Sequence, residues 1–133
     1  MIQVICPVCG AALEPQGAAW RCAQGHCFDV ARQGYVNLLT VTQKHSRHPG
    51  DTREMVAARR AFLDAGWYAP IAKTLADLVR RFCPEAASVL DAGCGEGYYL
   101  SQLGWIPERW GIDISRDAVR YAAARDRGAH WLT

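Results

Sequence analysis

Beyond residue 50 the apolar positions recur twice at helical spacing. Met55, Val56, Ala58, Phe62 and Leu63 make the first series, which Asp51 or Thr52 can cap and Gly66 can stop. Ile71, Leu75, Leu78, Val79 and Phe82 make the second, starting near Pro70 and ending before Pro84. The pattern then shifts to short apolar runs that end in an acid: Val89-Leu90-Asp91, and Trp110-Gly111-Ile112-Asp113. A helix starting at Tyr98-Tyr99-Leu100 lies between them, and another runs from a Ser115 cap towards Gly128. His130-Trp131-Leu132 begins a third strand. Strands alternating with helices predict an α/β fold with a parallel sheet. Before residue 50 the pattern is shorter and broken. Ala18–Arg21 reads as the return strand of a hairpin whose turn is "EPQG". Phe28, Val30, Tyr35, Val36 and Leu38 read as a small satellite core, with Gly34 as a turn. The polar loop "TVTQKHSRHPGD" divides the chain into a small module, residues 1–45, and an α/β part, residues 46–133.

Composition keeps this reading and narrows it. Half of the 133 residues are hydrophobic and 21% are charged, as in a globular protein. The net charge of +2 is uninformative, but its distribution is not. Residues 1–60 hold seven Lys and Arg against four acids, and the remainder eight against nine. An anionic partner is therefore expected at the N-terminal part. The start "MIQVICPVC" lacks the basic and long apolar regions of a signal peptide, and no run approaches the ~18 apolar residues of a membrane span. Cytoplasm, with no membrane contact, is the expectation. There thiols stay reduced, and paired cysteines more often hold metal than form disulfides.

The cysteines have that spacing. Cys6 and Cys9 form a C-x2-C pair, Cys22 follows after twelve intervening residues, and His26 and Cys27 come next. Three thiolates and one further ligand, His26 or Cys27, complete a tetrahedral zinc site. Four protein ligands leave no open position, so the role is structural. Reduced, unliganded cysteines are the plainer alternative, but such cysteines rarely arrive in this spacing. Cys83 and Cys94 read as ordinary small buried residues.

Gly93-Cys94-Gly95-Glu96-Gly97 lies between the first strand and its helix. Glycines are required where backbone turns sharply or must approach a ligand without a Cβ. Asp113 ends the second strand twenty positions after Gly93, where a carboxylate can accept both hydroxyls of a ribose. The GxGxG run after Asp91 resembles motif I of the class I S-adenosylmethionine-dependent methyltransferases. Such a ligand has no pyrophosphate, and Asp91 and Glu96 would stand near its sulfonium and amino group, where acids help. A nicotinamide-binding dehydrogenase domain is the nearest rival, and an α/β turn without ligand the plainest alternative.

The whole order resembles one family, the bacterial 23S rRNA (guanine-N1)-methyltransferases, which join an N-terminal zinc-binding domain to a class I methyltransferase domain. The resemblance runs from Cys6 to about Ser115. It rests on the cysteine spacing, "FDVARQGYVNLL", "RHPGDTREMVAARRAFLDAGWY" and "VLDAGCGEGYY". It implies zinc on Cys6, Cys9, Cys22 and His26, leaving Cys27 outside. It implies S-adenosylmethionine against Tyr68, the Gly95–Gly97 loop and Asp113, beside the Asp91 and Gly93 already noted. It implies a 23S rRNA hairpin as partner, gripped partly by the zinc module. Lys44 and Arg47 of the basic loop, with Arg59 and Arg60, which lie with Arg53 on the wetter side of the first helix, are the candidate RNA contacts; a solvated face is the alternative for the arginines. The expected fold is thus a zinc knuckle and hairpin, two helices, and the first part of a Rossmann-like methyltransferase sheet. The chain stops in or just after the third strand, where the family continues, so it reads as the N-terminal portion of such an enzyme or a truncated relative. No general base is legible, catalytic residues stay unassigned, and a homodimer is left open. Two other readings stand beside this one: a non-catalytic RNA-binding zinc module with a vestigial cofactor half-site, and a methyltransferase for another substrate.

Overall fold

The computed structural model describes residues 2–133. Its first sheet is antiparallel: β1 (Leu13–Gln16), β2 (Ala19–Cys22) and β3 (Cys27–Asp29), in that order. The turn differs from the one expected. Gln16 pairs with Ala19, so Gly17 and Ala18 alone make the turn, and Glu14, Pro15 and Gln16 belong to the strand. Gly17, at φ 64°, takes the left-handed conformation that a tight reversal needs. Pro15 is tolerated because β1 is an edge strand.

The second sheet is wholly parallel. It contains β4 (Tyr35–Val36), β5 (Ser88–Ala92), β6 (Glu108–Ile112) and β7 (His130–Leu132), in the order β4-β7-β6-β5. Three of these strands are those expected. The fourth, β4, is not: Tyr35 and Val36 are no satellite core. They pair with Trp131 and Leu132, and each enters a different main core. A strand from residues 1–45 therefore completes the sheet of residues 46–133, and hydrogen bonds cross the division suggested by composition.

Side-chain alternation along β6 and β7 separates the two cores. Trp110, Val36 and Leu132 face the zinc module and pack with Leu13, Trp20 and Cys22. Trp131 and Tyr35 face the helices and pack with Leu100, Ile106, Val119 and Ala122. The module thus covers one face of the sheet, but only in part. On the same face Leu90 and Ile112 remain 53% and 39% exposed.

Four helices follow the expected signals. Thr52 caps α1 (Arg53–Asp64) by accepting from the Met55 amide, and Gly66 turns the chain at φ 87°. Pro70 lies in the first turn of α2 (Ala69–Phe82), and Pro84 follows that helix. The short α3 (Tyr98–Ser101) leaves the glycine loop, and Ser115 caps α4 (Arg116–Arg125). Of the apolar series on α2, Val79 packs against the core, but Ile71, Leu75, Leu78 and Phe82 do not face it. Ile71 and Phe82 are 53% and 70% exposed, while Ala72 on another face is buried. Spacing placed these residues on one side of a helix; contact with the rest of the chain put that side outward.

Candidate functional site: a metal cluster and a glycine-loop groove

Two tight turns bring the metal-ligating side chains together. The Gly10 amide donates to the Cys6 carbonyl (2.9 Å) and the Gly25 amide to the Cys22 carbonyl (3.0 Å), both glycines having positive φ. Ligand atoms of Cys6, Cys9, Cys22 and His26 all lie within 4.8 Å of one another. Cys9 Sγ is 3.7 Å from Cys22 Sγ, and Cys22 Sγ is 3.3 Å from His26 Nδ1. Tetrahedral zinc with ordinary bond lengths requires separations of roughly 3.8 Å and 3.6 Å. The donor set therefore fits zinc, with His26 rather than Cys27 in the fourth place. Cys27 begins β3 opposite Arg21 and is exposed. Burial pushes the Cys22 thiol up, but backbone and ring hydrogen bonds at His26 outweigh it and bring the pKa to about 6, favouring the thiolate.

The second site lies at the carboxyl ends of β5 and β6. The Gly93 and Cys94 amides donate to the Ile112 carbonyl (2.8 and 3.1 Å), tying the loop to the end of β6. Asp113 fastens it again: Oδ2 accepts from the Gly95 amide (2.9 Å) and Oδ1 from the Ser115 amide (2.8 Å). The three glycines have different physical causes. All have positive φ, but a Cβ on Gly93 or Gly95 would meet nothing within 4 Å, whereas one on Gly97 would lie 2.8 Å from Trp131 Cη2 and 3.1 Å from Ala122 Cβ. Gly97 is required for packing. Gly93 and Gly95 border open space, as backbone does when a ligand must approach closely. Burial, and then the charge of Asp113, raises the Asp91 carboxyl. Burial, and then Asp113, pushes the Cys94 thiol to about 12, which makes it inert.

Glu96 is placed differently from Asp91 and Asp113. It is only 2% exposed, and its carboxylate accepts from Arg125 Nε (2.9 Å) on α4. Arg125 also donates to Asp64 of α1 (2.8 Å). The Glu96 side chain thus anchors the loop to two helices instead of facing the groove. Tyr68 stands at the start of α2, edge-on to Phe62 with ring centroids 5.0 Å apart. Ala72, one turn along, packs with Leu63 and Tyr98 beside the loop. His130 lies nearer the opposite ends of the strands, stacked on Trp110 at 4.2 Å. Of the basic residues, Lys44 and Arg47 line one cavity beyond β6. Arg60 instead pairs with Asp64 and lies over the Tyr121 ring, and Arg59 is exposed on α1.

Comparison with known proteins finds one family model and several relatives. The zinc-ribbon family described as RlmA, N-terminal, matches residues 4–47. A 23S rRNA (guanine(748)-N(1))-methyltransferase from Streptomyces fradiae is 45% identical over 123 residues, covering 89% of this chain and 43% of the relative. The matched region is the N-terminal portion of that relative. A Bacillus subtilis relative, provisionally assigned the guanine-N1 activity on 23S rRNA, is 32% identical over 137 residues, with 95% of this chain and 47% of the relative covered. Streptomyces venezuelae DesVI is a solved structure 30% identical in sequence, with a TM-score of 0.46, covering 61% of this chain and 36% of that one. The chain spans somewhat under half the length of the curated relatives it matches.

Proposed function

We propose that this chain carries the zinc module and the first cofactor wall of an S-adenosylmethionine-dependent methyltransferase that acts on guanine N1 of a 23S rRNA hairpin in the cytoplasm. The observation that carries this reading is the glycine loop: two glycines bordering open space, Gly93 held by the Ile112 carbonyl and Gly95 by the carboxylate of Asp113, just past the end of the neighbouring strand. Cys6, Cys9, Cys22 and His26 would hold zinc, which welds the ribbon on which Trp20 meets the sheet. S-adenosylmethionine, when bound, supplies a methyl group on a cationic sulfonium. The backbone at Gly93, Gly95 and Gly97 would admit it closely, Asp113 would accept its ribose hydroxyls, and Asp91 would favour its cationic end. Both Asp113 oxygens already accept amide hydrogens, so its carboxylate is fixed in direction before any ligand arrives. Tyr68 would close the groove from the start of α2, and Glu96 would contribute by fixing the loop. Lys44, Arg47, Arg59 and Arg60 would meet RNA phosphates. No residue of this chain is assigned as the base that takes the guanine N1 proton; residues 1–45 would form the zinc module that helps grip the RNA and residues 46–133 the first part of the methyltransferase domain, whose Arg47, Arg59 and Arg60 would also face the RNA.

Labelled-methyl transfer onto a 23S rRNA hairpin tests the proposal. Residues 1–133 alone should bind S-adenosylmethionine weakly and transfer nothing, because they form one wall of the groove. Joined to the C-terminal portion of the Streptomyces fradiae relative, they should methylate guanine N1. A joined protein that binds the cofactor tightly but leaves this RNA untouched would indicate another substrate. One that binds RNA but no cofactor would support the non-catalytic reading.

A further inference from the structure

A cavity of about 510 Å³ lies beyond the carboxyl ends of β6 and β7, and its lining contains neither the glycine loop nor Asp91, Asp113 or Tyr68. The segment from Lys44 to Glu54 forms one wall, the start of α4 another, and buried Thr133 part of the floor. The first wall is fixed. Gly50 sits so close to α4 that a Cβ would lie 2.8 Å from the Ser115 amide nitrogen, and the Ser115 hydroxyl donates to the Asp51 carbonyl (2.7 Å).

Four cations line this cavity: Lys44, Arg47, Arg53 and Arg116. None makes an ion pair among the described residues, whereas Arg109 and Arg125, which are more buried, each do. Arg53 and Arg116 are each the first residue of a helix, α1 and α4. A cation there opposes the helix dipole, and both helix starts open on the same space. An anion seated between them would meet two helix N-termini and two guanidinium groups at once. The lining also holds Asp51, Glu54 and Asp117, so it is not a uniformly positive surface. That mixture suits a nucleotide unit, whose phosphate pairs with arginine and whose hydroxyl and amino groups donate to carboxylates.

We propose that this cavity seats one phosphate of the RNA backbone with its adjoining nucleotide, clamped by Arg53 and Arg116, and so anchors the substrate strand beside the cofactor groove. This rests on the RNA reading above and adds a specific site to it. Its ligands include Arg116, which sequence spacing did not single out.

The test is fluorescence anisotropy of a labelled 23S rRNA stem-loop on the zinc-loaded 133-residue chain, across a salt titration. Arg53→Ala with Arg116→Ala should weaken binding at least about tenfold and reduce the salt slope by roughly one to two, the loss of two phosphate contacts. Arg53→Lys with Arg116→Lys should retain most of the slope, and Lys73→Ala with Arg81→Ala on α2 should change nothing. Circular dichroism and zinc content establish that each variant is folded; if the alanine pair is not, reduced affinity of the lysine pair, which loses the two-pronged contact, is the supporting result. RNA binding by the wild type with an unchanged slope and affinity in the alanine pair overturns the clamp and leaves the RNA reading standing. No RNA binding by the wild type overturns both.

Discussion

Gly111→Ala is the substitution that should join the core to the groove. Gly111 sits in β6 opposite Trp131 of β7, and its φ is not in the left-handed region, so any cost is one of space. A Cβ there would lie 2.3 Å from Trp131 Cζ3, 2.4 Å from Cε3 and 3.1 Å from Cys94 Sγ. Carbon atoms rest at about 3.5–4.0 Å, so the indole must move by roughly 1.2 Å or more. It has little room: Trp131 is 1% exposed and its Nε1 donates to the Asp126 carbonyl (2.7 Å). Overpacking costs about 1–3 kcal/mol, and loss of that hydrogen bond about 1 more. The sum is about 3 kcal/mol. Urea unfolding of the zinc-loaded chain, followed by tryptophan fluorescence, measures it. Trp131→Phe should destabilise the wild type but recover part of the loss in the Gly111→Ala background, a coupling of opposite sign that shared space requires. A Gly111→Ala protein within about 1 kcal/mol of wild type would refute the reasoning, as would an equal cost of Trp131→Phe in both backgrounds. Because Cys94 is the third contact, the variant should also disturb the glycine loop.

The remaining expectations concern the metal, the buried ion cluster, pH and the basic face. Metal analysis should find one zinc per chain, and His26→Ala should release it more readily than Cys27→Ala; the reverse order would put Cys27 in the site. Arg125→Ala strands the buried Glu96 carboxylate and should cost about 3–5 kcal/mol, with partial recovery on adding Glu96→Gln; no recovery would show that lost packing, not the stranded charge, dominates. The Trp110 indole, with the Ile2 amide, holds the Glu108 carboxyl below its ordinary value. The stability this gives is complete above the ordinary glutamate range and is lost as pH falls through the lowered value, so Glu108→Gln should flatten that part of the acid limb in thermal melts at varied pH. Replacing Lys44, Arg47, Arg59 and Arg60 with Ala should weaken RNA-hairpin binding and lower its salt slope, and an unchanged slope would return them to a solvated face.

Signals confined to a few neighbouring residues were legible in the chain itself. The cysteine spacing, the Thr52 and Ser115 caps and the order of strand, glycine loop, helix and acid all act within one turn or one crossover, and the structure has them where they were read. Between His26 and Cys27 spacing was indifferent. The turn at Gly25, which closes on the Cys22 carbonyl, brings the His26 ring to the cluster and starts the next strand at Cys27. Long-range packing decided the rest. Tyr35 and Val36 are too few to announce a strand, and become one only because β7 offers an edge 96 residues on, as between Val36 and Leu132. Glu96 looks like a ligand residue in a glycine loop until Arg125, 29 residues away, takes its carboxylate. Most of the face of α2 that periodicity marks as core, Ile71, Leu75, Leu78 and Phe82, is exposed, because periodicity states which residues share a side and not what that side meets. Arg53 and Arg116 lie on different helices far apart in the chain, and they become neighbours of one cavity only when Gly50 lets the loop close on Ser115. Local conformation is set by nearby atoms; which side chains share a site depends on where distant segments come to rest.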